Sequence, residues 1–174
     1  MAATFEFNED NGAATGSPAK GTTRTTAVTQ CNWKNIDDVA TAYSSNPVIA
    51  GLNSYIKYQF GKFTGTFNQI SAGLWAHTAG TLGTGITLAG KVTSTYATPS
   101  TTAMSGSTDM TSAIAIGSGA TVLFSTTGPE DASPTSTLAA AGYTQYLATQ
   151  AQTSSGAGAG DSGTATLTLR YNEN

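Results

Sequence analysis

The sequence predicts an all-β protein, an antiparallel β-sandwich of jelly-roll or immunoglobulin-like type with long loops rich in Ser, Thr and Gly. Thr, Ser, Ala and Gly make up more than half of the chain, and Thr alone occurs 32 times. Thr is β-branched and favours the pleated backbone, whereas Ala and Gly carry too little apolar surface to build a helical core. Short alternating segments separated by Gly, Pro and Ser loops, with no long helical period, are typical of a sandwich. A closed barrel is the less favoured arrangement.

Alternation of apolar and polar residues locates the strands. It is clearest over Thr164–Tyr171, where every second residue is apolar and one face therefore turns to a core. Ile56–Phe60 alternates in the same way and predicts a half-buried strand that ends near Gly61. Further strands are predicted at 63–75 (with a bulge or corner), 85–99, 114–116, 121–125 and 141–152, with turns or loops at 77–85, 100–111, 128–134 and 154–163.

Two parts of the chain are predicted, an N-terminal arm at 1–30 and a single sandwich domain at 31–174. Within the arm, Thr4–Phe7 alternates as a short strand would, and Asn8–Gly12 is a cluster of turn-forming residues. An arm of this kind becomes ordered only when it lies on a surface. Asn32–Tyr43 is equally compatible with one or two helical turns and with an irregular loop.

Charge is sparse along the whole chain. Asp, Glu, Lys and Arg form 10% of the residues, against roughly 25% in an ordinary globular protein. The formal net charge is -3 and the pI is about 4.8, which disfavours nucleic-acid binding. The few charges are uneven, because Lys91 is followed by no basic residue until Arg170. Such a surface predicts a protein that packs against copies of itself or against partners.

The compartment is inferred from cysteine use and from the apolar runs. Cys31 is the single cysteine, so no internal disulfide is possible. The first residues show neither a basic segment nor an apolar one, and we expect no signal peptide. No run approaches the 18 to 20 apolar residues of a membrane span. We therefore expect assembly in a reducing cytoplasm and no membrane partner.

The residue types that carry chemistry are few, and we expect neither catalytic residues nor a cofactor. His77 is the only histidine and no nucleophile-elbow motif accompanies it. One His and Cys31 cannot complete a structural zinc site. Glu9–Asn11 and Glu130–Asp131 offer oxygen ligands for calcium, but the EF-hand pattern is absent and solvated turns are the favoured interpretation. Asp37–Asp38 is a third adjacent acidic pair, and adjacent acids point in different directions.

Several short stretches are similar to one known class of protein. They are Phe5–Phe7, Glu9–Gly12, Asn32–Asn35, Asn46–Tyr55, Phe67–Ser71, Ser94–Pro99 and Thr166–Tyr171. Taken together, these short stretches resemble the virion structural proteins of tailed bacteriophages. The resemblance implies a small β-rich component of a phage particle, placed on the exterior of the head and assembled in the host cytoplasm.

These observations favour a non-enzymatic structural protein of the virion, a capsid decoration or auxiliary protein. We expect it to form homo-oligomers and to bind the major capsid protein or another virion protein through its arm and sheet surfaces. The alternative is a carbohydrate- or receptor-binding module on a phage tail, collar or fibre, in which Trp33, Tyr43 or Trp75 stacks on a sugar ring. The candidate interface residues are Phe5, Phe7, Lys20, Arg24 and Trp33.

Overall fold

The computed structural model describes residues 2–158 and 163–174, and within them the chain forms strands and irregular loops. Two short 3-10 turns occur at Tyr43–Ser45 and Ile116–Ser118. The strands are β1 Thr4–Thr15, β2 Lys20–Thr25, β3 Lys57–Thr64, β4 Ile70–Leu82, β5 Ile86–Thr93, β6 Thr108–Asp109, β7 Ala120–Val122, β8 Phe124–Ser125, β9 Thr137–Leu138, β10 Gly142–Thr144, β11 Tyr146–Thr153 and β12 Gly163–Glu173.

The strands form two antiparallel sheets, which confirms the predicted all-β antiparallel sandwich. The large sheet has eight strands in the order β2-β1-β3-β11-β5-β6, and β10 joins it by pairing with β3 and β8. The small sheet has the order β12-β4-β7, with β9 paired to β4. Every strand pair among the described residues is antiparallel.

The core lies between the two sheets. Near one end Phe63 of β3 packs with Ile70 of β4 and with Phe124, and the Phe63 ring centroid is 4.8 Å from that of Tyr171. Further along, Trp75 of β4 packs on residues of the large sheet, including Leu147 of β11. Both clusters join side chains from both sheets, so burial of apolar surface holds the layers together.

The outer face of the large sheet is also covered. Tyr96 and Met104 belong to the long loop after β5, and they pack on Tyr58, Phe60 and Tyr146. Tyr58 and Tyr96 have ring centroids 4.6 Å apart. Strand β3 is consequently buried on both faces, whereas its alternation predicted a half-buried strand. The loop supplies the second apolar layer that the strand pattern could not reveal.

The structure corrects the expectation of an extended N-terminal arm. β1 pairs with β3 from Thr4 opposite Thr64 to Asp10 opposite Tyr58, and β2 returns along β1. Asn8–Gly12, expected as a turn, therefore lies inside β1. The physical reason is that Phe5 and Phe7 bury against the molecule's own core, so the segment needs no other surface on which to become ordered.

Several local predictions also need correction. His77 lies inside β4, which continues to Leu82, so the expected turn at 77–85 is confined to the residues before β5. The predicted strand at 114–116 is absent, and β5 ends at Thr93 rather than near residue 99. Residues 32–42 are irregular, so the loop alternative is confirmed there. Part of the predicted connector, 159–162, lies outside the described residues.

Candidate functional site

The first cluster of polar side chains surrounds Asp10 on the outer face of β1. Arg24 of β2 binds the buried Asp10 carboxylate through two hydrogen bonds, Nε to Oδ1 at 2.7 Å and Nη2 to Oδ2 at 2.8 Å. The Tyr146 hydroxyl donates to Asp10 Oδ2 at 2.6 Å. Glu130 lies 3.3 Å from Arg24 Nη2, and the guanidinium stands 4.7 Å from the centroid of the Phe60 ring. Both oxygens of the buried carboxylate thus accept hydrogen bonds.

The electrostatics of this cluster stabilise its charged form. The hydrogen bond to Asp10 raises the pKa of Arg24 well above its ordinary value, and the charges of Asp10 and Glu130 add to that effect. Burial raises the pKa of Tyr146, and its hydrogen bond to the carboxylate raises it further. Arg24 therefore remains cationic and Tyr146 remains a neutral donor, which is the arrangement that a buried anion requires.

The second cluster surrounds Glu9, which lies next to Asp10 but points to the opposite face of β1. Its carboxylate accepts hydrogen bonds from Lys57 Nζ at 3.2 Å, Gln59 Nε2 at 3.2 Å and Asn11 Nδ2 at 2.9 Å. Glu9 and Lys57 are 2% and 1% exposed. Asn11 also donates to Asp37 Oδ1 at 2.8 Å, so the cluster extends to the irregular segment after β2.

That irregular segment is organised around a buried lysine. Lys34 Nζ donates to Asp38 Oδ1 at 2.6 Å and to the carbonyl of Thr41. Thr41 in turn donates to Asp38 through its amide and its hydroxyl. Burial acts to raise the pKa of Asp38, but the hydrogen bonds from Lys34 and Thr41 outweigh it and lower the pKa to about 2. Lys57 Nζ also reaches the Asp38 carbonyl at 2.8 Å, which joins the two clusters.

These clusters correct the solvated-turn interpretation for Glu9 and Asp10, whereas Glu130 and Asp131 lie at a turn and are partly exposed. Glu9 and Asp10 are buried and neutralised by basic side chains, so they serve the protein's own cations rather than calcium. In the second pair, Glu130 faces Arg24, while Asp131 accepts from Ser125 and Thr127. No group of three or more metal-ligating side chains occurs within residues 2–158 and 163–174.

His77 and Cys31 lie in environments that suit a structural role rather than a chemical one. His77 is 1% exposed, and its two ring nitrogens lie 2.8 Å from the carbonyl oxygens of Met110 and Ala79. These contacts attach β4 to the loop after β6, and they offer no nucleophile to the imidazole. Cys31 is partly exposed, yet burial of its thiol raises the pKa far above the ordinary value. A protonated thiol is a poor nucleophile.

Four of the five predicted interface residues make contacts within the chain. Phe5 and Phe7 pack between the sheets, with the Phe7 ring centroid 5.4 Å from that of Trp75. Arg24 is held by Asp10, and Trp33 Nε1 donates to Thr149 Oγ1 at 3.0 Å. Lys20 is exposed at the start of β2. The interface role of these residues stays a prediction.

Exposed apolar side chains occur on a segment that the sequence analysis did not single out as an interface. Tyr43, Ile49 and Leu52 are 50%, 60% and 52% exposed, and we call residues 43–52 the apolar segment. Its end is attached to β11, because the Thr153 amide donates to the Leu52 carbonyl at 3.1 Å. Asn46–Tyr55 contributed to the phage resemblance, but no periodicity in it showed which side chains are exposed.

A groove opens next to the apolar segment, between the edges of the two sheets. It has a volume of about 530 Å³ and its floor includes Phe7, Trp75 and Leu88. Trp75 Nε1 is buried and has no hydrogen-bond partner within the described part of the chain. We call this cavity the inter-sheet groove. The residues that line it are 28–33, 43, 47, 48, 50, 59, 75, 82, 86, 88, 151, 153, 157, 158 and 163–167, together with Phe7.

Comparison with known proteins finds no match. No family model matches the chain, and no curated protein or solved structure is similar to it. None of the helical turns among the described residues is long and apolar enough to cross a membrane.

Proposed function

We propose that this protein is a non-enzymatic structural component of a bacteriophage particle, a decoration or auxiliary protein that binds the major capsid protein on the exterior of the head. The resemblance of its sequence stretches to virion proteins supports the proposal. So does the all-β sandwich, in which the buried acids Glu9 and Asp10 are engaged in ion pairs within the chain.

The scarcity of charge on the protein surface is the observation that supports the proposal most directly. The chain has only seven basic and ten acidic residues, and four of these, Glu9, Asp10, Lys34 and Lys57, are buried. The outer surface is therefore even less charged than the composition implies, and it is rich in hydroxyl groups. A freely diffusing protein needs surface charge to resist association. A protein that is tiled against neighbours does not, and it avoids the cost of desolvating charges at each contact.

The apolar segment is the surface that we assign to capsid contact. Apolar patches on a soluble protein mark interaction sites, and aromatic or aliphatic anchors supply most of the energy of such contacts. Tyr43, Ile49 and Leu52 are three such anchors on one segment. Repetition over a symmetric shell would strengthen a modest individual contact by multivalency.

Co-sedimentation with phage particles tests the assignment. We expect the triple variant Tyr43→Ser, Ile49→Ser, Leu52→Ser to lose at least about tenfold in affinity, because each anchor contributes on the order of 1 kcal/mol or more. The matched control is Ala139→Ser, Ala140→Ser, Ala141→Ser, three exposed residues near the opposite end of β11. Equal sedimentation of the anchor variant and the native protein would contradict the assignment.

A carbohydrate- or receptor-binding module is the second candidate, and one observation favours it. Trp33, Tyr43 and Trp75, the aromatic residues suited to stacking on a sugar, all line the inter-sheet groove together with the neutral amides of Gln30 and Asn32. Saturable binding in a glycan array that is lost in Trp33→Ala, with unchanged sedimentation on particles, would favour this function over capsid binding.

A further inference from the structure

Two backbone segments that line the inter-sheet groove have no partner there among the described residues. β12 is the last strand of the small sheet, and no described strand pairs with the other side of its residues 164–167. In the same groove, no described residue makes a hydrogen bond with the backbone of Thr29–Trp33. Backbone N–H and C=O groups in a protein are almost always paired, with the protein or with water. An edge of this kind is a template on which another strand can add.

The groove follows the edge of β12 rather than one of its faces. Its wall includes the consecutive residues Thr164, Ala165, Thr166 and Leu167. Successive side chains of a strand point to opposite faces, so a cavity in contact with consecutive residues runs along the backbone edge. Segment 28–33 also lines the groove. An extended chain placed in the groove would meet backbone donors and acceptors of both segments.

The lining also defines the chemistry of the occupant. No Asp, Glu, Lys or Arg is among the described residues of the wall, and Phe7, Trp75 and Leu88 form an apolar floor. A charged segment would lose its hydration there without compensation. An uncharged segment with alternate apolar side chains would bury them on the floor and pair its backbone with the walls. A free sugar could use the aromatic rings but not the backbone edges.

Segment 112–116 has that chemistry and belongs to no strand. It reads Ser-Ala-Ile-Ala-Ile; its residues 114–116 predict a strand from sequence, yet in the fold Ser112–Ala115 is irregular and Ile116 begins a 3-10 turn. Ile114 is 43% exposed, and it is the one large exposed apolar side chain among the described residues outside the apolar segment. Its amide donates to the His77 carbonyl at 2.8 Å, which attaches the loop to β4 and leaves the Ile114 side chain outside.

We propose that segment 112–116 of a second copy docks in the inter-sheet groove and adds to the outer edge of β12 along Thr164–Leu167. Donor and groove are different surfaces of one molecule, so the contact is heterologous and repeats from copy to copy into a ring or an open chain. This inference identifies a second copy of the chain as one partner of the structural protein proposed above. Its biological setting rests on that proposed function. The contact itself forms between isolated copies of the chain.

Sedimentation velocity of the purified full-length chain over a concentration series tests this contact. We expect the native protein to self-associate. Ile114→Asp removes the donor and Ala165→Asp places a charge on the groove wall, and each change should weaken association at least tenfold. Ala79→Asp is the matched control, because Ala79 is exposed on β4 opposite Thr166 and does not line the groove. Circular dichroism and thermal melting verify that all variants are folded.

A mixture of the two variants distinguishes this contact from a symmetric one. Ile114→Asp retains an intact groove and Ala165→Asp retains an intact donor, so the mixture should form a dimer and nothing larger. A native protein that remains monomeric, or variants that associate as the native protein does, would overturn the proposal. So would an Ala165→Asp variant that fails only on particles, since the groove would then hold a capsid segment. Self-association without any binding to particles would uphold the docking and refute the proposed function.

Discussion

The N-terminal hairpin and the inter-sheet groove both lie at the margin of the sandwich, but they differ in whether their polar groups have hydrogen-bond partners. In the hairpin of β1 and β2, Glu9 and Asp10 are buried, and each meets a basic side chain and further hydrogen-bond donors. Along the groove, neither residues 164–167 on the outer edge of β12 nor the backbone of 29–33 has a partner there among the described residues, and the described lining includes no Asp, Glu, Lys or Arg. The polar groups of the hairpin are paired within the chain, whereas these backbone groups of the groove have no partner among the described residues.

The difference shows where this chain uses its few charges. Adjacent positions of a strand face opposite sides, so Asp10 meets Arg24 on one face and Glu9 meets Lys57 on the other. A slip of one residue between β1 and β2 would separate Asp10 from Arg24, and a slip between β1 and β3 would separate Glu9 from Lys57. Because an unpaired buried charge is costly, the first pair specifies the register of β1 on β2 and the second that of β1 on β3. The contacts that we propose with other molecules use neutral surface.

The largest effect is expected from Asp10→Ala in the hairpin. The change leaves Arg24 and the Tyr146 hydroxyl without their carboxylate, and breaking a buried pair costs about 3 to 5 kcal/mol in the free energy of unfolding. Urea denaturation measures the loss. Asp109→Ala, at an exposed acid, should cost under about 1 kcal/mol. Similar losses for the two variants would mean that the hairpin is not completed by its ion pairs.

Lys57→Met tests the ion pair on the other face of β1. Without the ammonium group the Glu9 carboxylate is buried beside neutral donors only, and we expect a loss of about 3 kcal/mol. In the double variant Glu9→Gln, Lys57→Met no charge remains, so its loss should be smaller than the sum of the single losses by about 1 kcal/mol or more. Strictly additive losses in urea denaturation would show that the two side chains are not coupled.

A smaller effect is expected from acid, through Asp38. Its pKa is lowered to about 2 in the folded protein, so its stabilising contribution is complete above its ordinary value of 3.8 and is lost as the pH falls through about 2. The side chain is 34% exposed, and screening limits the contribution to below about 1 kcal/mol. The stability difference between the native protein and Asp38→Asn should therefore vanish towards pH 2. A difference that is constant from pH 5 to pH 2 would exclude this contribution.

The smallest effect on stability is expected beside the groove. Ile49→Ser with Leu52→Ser changes exposed side chains, so the free energy of unfolding should change by less than about 0.5 kcal/mol per residue. Retention on a hydrophobic-interaction column should nevertheless shorten, because two of the three exposed apolar side chains of the segment are removed. A loss of several kcal/mol would show that the apolar segment belongs to the core and is not a contact surface.

Local pattern predicted some elements and misjudged others for identifiable reasons. The strand at 164–171 was predicted because its alternation is visible in the sequence. β1 was expected to be an arm because its pairing partner, β3, lies some fifty residues away. The residues of Thr4–Phe7 do not indicate which distant strand they pair with. Asn8–Gly12 has the composition of a turn, and burial against Arg24 and Lys57 overrides that tendency. The groove could not be predicted, because separate segments build it.

The all-β class and the scarcity of charge can be read from the chain alone, since both follow from composition and from alternation at short range. Which charges are buried, which face of β1 each acid occupies and which backbone segments have no partner among the described residues depend on the folded arrangement. These properties depend on pairings between residues far apart in the chain, and the free energy of a buried ion or an unpaired backbone group depends on what surrounds it in space.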